Sequence, residues 1–176
     1  SDHGKIDESS AVVIQEKPEW DYVVMNDQTQ YPATFQRRRR SILVLKQVYA
    51  PLFLETGAVP VFLMTHAYSI ANSQAKSSKR TLLGDVPAFT SHLYYGYRQY
   101  VNALAQKLPN DQHPRMANAG LAFLTIYEEN VELWKKLFFV DGFHPSPHGS
   151  YLIGCVLYAT IFQRMPPSPL LFTTTS

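Results

Sequence analysis

Two short runs rich in β-branched and aromatic residues, residues 21–25 (Asp21, Tyr22, Val23, Val24, Met25) and residues 59–65 (Val59 to Thr65), flank a longer stretch with helical periodicity. This alternation constrains the fold more than any other feature of the chain. A short apolar run without polar alternation reads as a strand buried on both faces. Strands that alternate with helices build a parallel sheet with helices packed against it, because a parallel connection needs a crossover. The chain is therefore expected to be α/β, with its working groups at the carboxyl ends of the strands.

The helical segments fit that frame. Residues 34–56 place Ile42, Leu45, Val48, Tyr49 and Leu52 on one face, with Gly57 as a stop and Pro51 as a possible kink. Phe89, Leu93, Tyr97, Tyr100, Leu104 and Leu108 step by three or four behind Asp85 and Pro87, which suit a helix start. Residues 6–16 and 121–136 also read as helices, and residues 116–119 as a third, short strand. Residues 69–84 are polar and read as a long surface loop. A last helix opens at Ser146, a good N-cap, with Pro147 in its first turn. The prolines at 166, 167 and 169 end it, so residues 1–165 are expected to form the domain and residues 166–176 a Pro-rich tail.

Composition excludes several classes. A chain of 176 residues that is 45% hydrophobic and 13% aromatic can bury a core, and its formal charge of +2 does not call for a polyanionic partner. No segment reaches the roughly 20 apolar residues of a membrane span. The lone Cys155 sits in an apolar stretch and reads as a small buried hydrophobe. The first residues carry neither an initiator Met nor a signal-peptide pattern. The chain thus reads as starting within a larger protein. The compartment stays open, a secretory or extracellular one included, and so does the oligomeric state.

The strongest chemical signal is Asp141-Gly142-Phe143-His144-Pro145-Ser146. Activating a hydroxyl takes an imidazole to accept its proton and a carboxylate to fix the imidazole tautomer and steady its charged form. Three residues on a loop can bring an Asp beside a His, and Gly142 permits the bend. The alternative is a surface turn followed by a helix entry.

The block from Asp141 to Leu152 resembles the last motif of the SGNH (GDSL-like) hydrolases, where a D-x-x-H-P element opens the final helix. Val23-Val24-Met25-Asn26-Asp27-Gln28-Thr29 is similar to the strand that carries the family's third motif, and Trp20 to Tyr22 and Tyr31 to Ala33 look like its flanks. The likeness runs over residues 6–165. It implies a three-layer α/β/α, flavodoxin-like fold and an esterase-type hydrolase that cleaves an oxygen ester through Ser-His-Asp chemistry. The substrate would be a small-molecule or carbohydrate ester, with an O-acetylated carbohydrate as one option. His144 would be the general base, Asp141 its orienting carboxylate, and Asn26 an oxyanion donor. Asp27, Thr65 and His66, placed at the carboxyl ends of the first two strands, are expected from that position to line the pocket. No metal and no cofactor is implied.

The chain departs from the family pattern in two places. Val24 stands where the third motif has Gly, and no Gly-Asp-Ser or Gly-Asn-Ser occurs. Ser1, Ser9 and Ser10 lack a preceding strand, and Gly4 is a weak candidate for the second-motif glycine. The nucleophile is therefore expected outside this chain, together with one or more N-terminal strands. The rival expectation is a truncated or degenerate, non-catalytic domain that binds a ligand or partner.

Other features have simpler readings. Asn26 could be only a strand-ending turn residue, and His66 a satisfied structural histidine. Pro145 and Pro147, between His144 and His148, disfavour a metal site. Residues 37–40, four arginines, read as a solvated helix face rather than a nucleic-acid site. Tyr94, Tyr95, Tyr97 and Tyr100 could stack on sugar, but core packing accounts for at least two of them.

Overall fold

A computed structural model of the chain describes residues 20–69 and 83–167. The helix expected over 6–16, Gly4, the early serines, most of the 69–84 loop and the tail beyond 167 lie outside the described residues. Strands β1 (Tyr22–Met25), β2 (Val59–Leu63) and β3 (Arg115–Ala117) form one parallel sheet in that spatial order. Val24 pairs with Val61, and Val61 with Arg115. β3 begins one residue earlier than the sequence suggests and ends at Ala117, because Ala119 already belongs to a helix.

The crossover from β1 to β2 contains α1 (Gln30–Ala33), α2 (Phe35–Val44) and α3 (Ala50–Thr56). Between α2 and α3 lies one π-helical turn, Leu45–Tyr49. Pro51 has no N–H, and its ring would press on the carbonyl four residues back. The wider turn relieves this: the Ala50 N–H reaches Leu45 O, five residues back, and the helix continues. Gly57 closes it in the left-handed conformation, φ 74°, as expected of that position. The arginine run is less uniform than expected. Arg38 is buried, donating from Nη1 to Pro32 O (2.6 Å) and from Nε to Gln99 (2.8 Å), while Arg37, Arg39 and Arg40 are exposed.

The second crossover is α4 (Val86–Ala105), capped by Asp85, whose side chain accepts from the Ala88 amide. Its buried stripe of Phe89, Leu93, Tyr97, Tyr100 and Leu104 covers one face of the sheet. Phe62 of β2 meets the rings of Tyr97 and Tyr100 there, 6.5 and 5.9 Å between centroids. Tyr95 is exposed under the Arg38 guanidinium, so the tyrosine cluster divides between core and surface.

The helix expected over 121–136 is two helices, α5 (Ala119–Glu129) and α6 (Val131–Lys135). Asn130 takes an extended conformation between them, and its side chain accepts from the Leu133 amide, so a capping interaction outcompetes helix continuation. The last helix, α7 (Pro147–Phe162), is capped by Ser146.

Side chains alternate across a strand, so Tyr22, Val24, Val61 and Arg115 share the sheet face opposite Phe62. Arg115 donates from Nη1 to the Thr160 and Ile161 carbonyls (3.2 and 2.8 Å) at the end of α7, with its guanidinium 5.0 Å from the Tyr22 ring centroid. α7 thus sits on the β3 side. Toward β1 the same face is open: Val24 is 45% exposed, and no strand pairs with the outer edge of β1 among the described residues. α7 is apolar nearly all round, yet only Gly149 in it is fully buried, and Cys155 is half-buried rather than buried. No helix among the described residues is long and apolar enough to cross a membrane.

Candidate active site

The segment between α6 and α7 folds back on itself as a small hairpin. Phe138 and Pro145 form an antiparallel bridge, the Phe139 amide donates to His144 O (2.9 Å), and the Ser146 amide donates to Leu137 O (2.8 Å). Gly142 turns the tip at φ 66°, a conformation that costs a residue with a Cβ. Gly149 lets the first turn of α7 press against the Leu137 carbonyl, where a Cβ would collide, and this fixes the base of the hairpin.

Within this turn Asp141 serves both the backbone and His144. Its Oδ1 accepts from the Phe143 amide (2.8 Å) and the His144 amide (3.0 Å), while Oδ2 lies 2.7 Å from His144 Nδ1. The His144 hydrogen bond first, and then the two amides, hold the Asp141 carboxyl at about 2, well below the usual carboxylate range. A charged carboxylate only accepts, so Nδ1 carries the proton and neutral His144 keeps its lone pair on Nε2. The His144 side chain is 78% exposed, and no described residue hydrogen-bonds Nε2. This is an oriented imidazole with its basic nitrogen open to a reactant.

The hairpin rests on the chain that leaves β2. His66 Nε2 donates to Phe143 O (3.0 Å), and the Ser69 amide and hydroxyl donate to Gly142 O (2.9 and 3.2 Å). His66 is 7% exposed, stacked on Phe123 at 4.3 Å and edge-on to Phe138. Burial above all, and His144 to a smaller extent, depress its pKa, while the bond to Phe143 O works the other way. Thr65 Oγ1 is buried, takes no well-formed hydrogen bond among the described residues, and sits beside the Tyr97 hydroxyl.

At the end of β1 the two candidate residues part. Asn26 is exposed, and among the described residues its amide makes only a long contact with Asp27 O (3.4 Å), so it has donor capacity to offer. Asp27 instead turns to the helices. Its Oδ2 accepts from Tyr100 (2.7 Å) and Ser41 (2.6 Å), its Oδ1 from the Gln28 amide (2.8 Å), and its own amide donates to the Tyr97 hydroxyl (3.2 Å). Burial, then the Asp27 charge, push the Tyr100 phenol far above its ordinary range, so it stays a donor. Asp141 and His144 are in direct contact and His66 touches their loop; Asn26 makes no hydrogen bond to it. Ser69 and the Phe143 carbonyl carry no sequence signal, since their contacts span more than 70 residues. Among the described residues, no three His, Cys, Asp or Glu side chains converge to hold a metal.

No family model matches the sequence, and no curated protein matches it. Among solved structures, one described as "a putative SGNH hydrolase from Slackia heliotrinireducens" superposes with a TM-score of 0.63 at 23% identity, covering 87% of this chain and 71% of that one. The likeness, together with the three parallel strands and their helical crossovers, establishes that the chain has an α/β fold of the kind found in that protein.

Proposed function

We propose that this chain is the greater part of an SGNH-type serine esterase domain and carries the acid–base half of its active site. The observation that carries this reading is the 2.7 Å contact between Asp141 Oδ2 and His144 Nδ1, with Nε2 open to solvent. His144 takes the proton of a serine hydroxyl as that oxygen attacks the ester carbonyl, and a tetrahedral oxyanion forms. Asn26 donates to the oxyanion, a contribution of about 3 kcal/mol to the transition state for such a donor. The intermediate collapses as the C–O bond to the alcohol breaks, and His144 returns the proton to the departing oxygen. Water, deprotonated by His144 in turn, then releases the acid from the acyl-serine.

The serine comes from outside this chain, on a strand added to the open edge of β1. Such a strand would end beside Asn26, and its surroundings would cover Val24 and α7 to complete a three-layer α/β/α domain. Asp27 is a structural anchor in this reading, and Thr65 a wall of the pocket. The substrate is an oxygen ester of a small molecule or carbohydrate, and the chemistry needs neither metal nor cofactor.

The test is an ester panel, acetate esters first, on the longer gene product. Changing His144 to Ala should lower the rate at least about a hundredfold. A longer product with no strand ending in Gly-Asp-Ser or Gly-Asn-Ser, and no esterase activity, would favour the second reading, a non-catalytic domain. That reading draws support from Val24 in place of the motif glycine.

A further inference from the structure

We propose that His66, which the mechanism above does not use, is a positioning residue: with Ser69 it clamps the Gly142 and Phe143 carbonyls and so sets where His144 stands at the end of β2. The inference rests on the proposed function for its catalytic consequence, but the clamp itself is a property of the loop.

Three residues of one short segment grip two consecutive residues of the hairpin. His66 Nε2 donates to Phe143 O, Ser69 donates twice to Gly142 O, and the Tyr68 ring meets the Phe143 ring edge-on at 4.7 Å. From the other side Asp141 accepts the Phe143 and His144 amides. The peptide units leading into His144 are thus held on both sides. Asp141 travels with the hairpin and can fix only the local shape. His66 and Ser69 belong to the segment following β2, so their hydrogen bonds tie that shape to the sheet rim. A carbonyl only accepts, so His66 must carry its proton on Nε2. The ring is itself locked between Phe123 and Phe138, which makes the donor a fixed point. A general base displaced by about 1 Å from its reactant can lose about a hundredfold in rate, which makes such a support worth retaining.

Two variants separate donor from packing. His66→Phe keeps an aromatic ring against Phe123 but removes the donor; His66→Gln keeps a donor near the Nε2 position. In His66→Phe, amide exchange of Ser69 and Phe139 should quicken. In the longer esterase, kcat should fall about tenfold to a hundredfold with KM little changed. His66→Gln should restore both. Exchange unchanged in a folded His66→Phe would overturn the clamp. Quickened exchange in a longer product that lacks esterase activity would uphold the clamp and remove the proposed function instead. The wild-type chain gives a reading that needs no variant: nitrogen-15 spectra should show neutral His66 protonated at Nε2. A ring protonated only at Nδ1 would overturn the proposal.

Discussion

Asp141 holds His144 twice, through the ring nitrogen Nδ1 at 2.7 Å and through the backbone amide at 3.0 Å, so one carboxylate sets both the tautomer of the imidazole and the turn that presents it. Asp141→Asn keeps the size and the turn-forming oxygen but can turn an N–H toward Nδ1. The lone pair would then face the amide, and the proton would move to Nε2, where the base is needed. If a longer product is the proposed esterase, its kcat should fall at least about a hundredfold, with melting temperature little changed. A variant within a few-fold of wild type would remove Asp141 from the mechanism.

The same contact makes a pH prediction. The folded-state Asp141 carboxyl is depressed to about 2 from its ordinary 3.8. Its contribution to the folded loop is therefore complete above the ordinary value and is lost as pH falls toward about 2. The Nδ1 proton of His144, followed by NMR, should stay hydrogen-bonded to Asp141 through mildly acidic pH. Any loss of activity in that range then belongs to a group other than Asp141. Loss of the signal at or above the ordinary carboxylate value would contradict this.

His66 gives a dependence of the same sign in a higher pH window. Its folded-state pKa lies below the ordinary 6.5, chiefly through burial, so below that value the unfolded chain binds the proton more readily. The stabilising effect of a neutral His66 is full above 6.5 and declines as pH falls below it. His66→Phe lacks this group. The difference in melting temperature between wild type and variant should shift in the variant's favour from about pH 8 to about pH 5. A constant difference would show that the ring is not held neutral.

The turn itself can be tested at Gly142, where φ is 66°. Gly142→Ala forces a Cβ into the left-handed region, at a cost of about 1 kcal/mol. The melting temperature should drop by a few degrees, roughly 3 °C for a domain of this size. Because the strain lies between Asp141 and His144, esterase activity in the longer product should fall more than the fraction folded does. An unaltered midpoint would mean that the turn has another conformation.

How much of this was legible in the sequence follows from the range of each interaction. β2 declares itself because a strand buried on both faces writes its environment into adjacent residues, whereas β1 carries the same apolar run but leaves Val24 exposed on one face. The approach of Asp141 to His144 is legible for the same reason, being closed by a three-residue turn. The breaks were harder. Asn130 interrupts a helix through its own side-chain cap, and Pro51 is accommodated by a π turn, which depends on how neighbouring turns can yield. The long-range partners left no trace at all. His66 and Phe143 are 77 positions apart, and Tyr100 is 73 from Asp27. Arg38 was hidden for another reason: its neighbours in the run are exposed, and burial of one guanidinium depends on Pro32 O and Gln99 being in place.

The Asp27 anchor predicts a stability effect away from the hairpin. Tyr100→Phe removes a 2.7 Å hydrogen bond to a carboxylate that Ser41 still contacts. Hydrogen bonds to charged groups are worth about 2 kcal/mol, so the midpoint should fall by roughly 5 °C. Asn26 follows Asp27 in space, so the loss should also blunt esterase activity if Asn26 serves the oxyanion. A Tyr100→Phe chain as stable as wild type would mean that the carboxylate is not held by this phenol.

The open side of β1 gives the last prediction, and it separates an incomplete domain from a self-sufficient one. Val24 projects from β1 onto a face that α7 covers only toward β3, and it is 45% exposed. Among the described residues no strand pairs with the outer edge of β1, and an uncovered edge beside half-covered apolar surface invites pairing with another chain. Residues 1–176 alone should therefore self-associate with concentration and unfold at a lower temperature than the longer product. Val24→Lys discriminates further. In residues 1–176 alone the lysine meets solvent and should change stability by no more than about 0.5 kcal/mol. In the longer product, if a strand and its cover close over this face, the same charge would be buried at a cost of at least about 2 kcal/mol. Equal tolerance in both would mean that nothing covers β1, and the proposed site would have no place for its nucleophile.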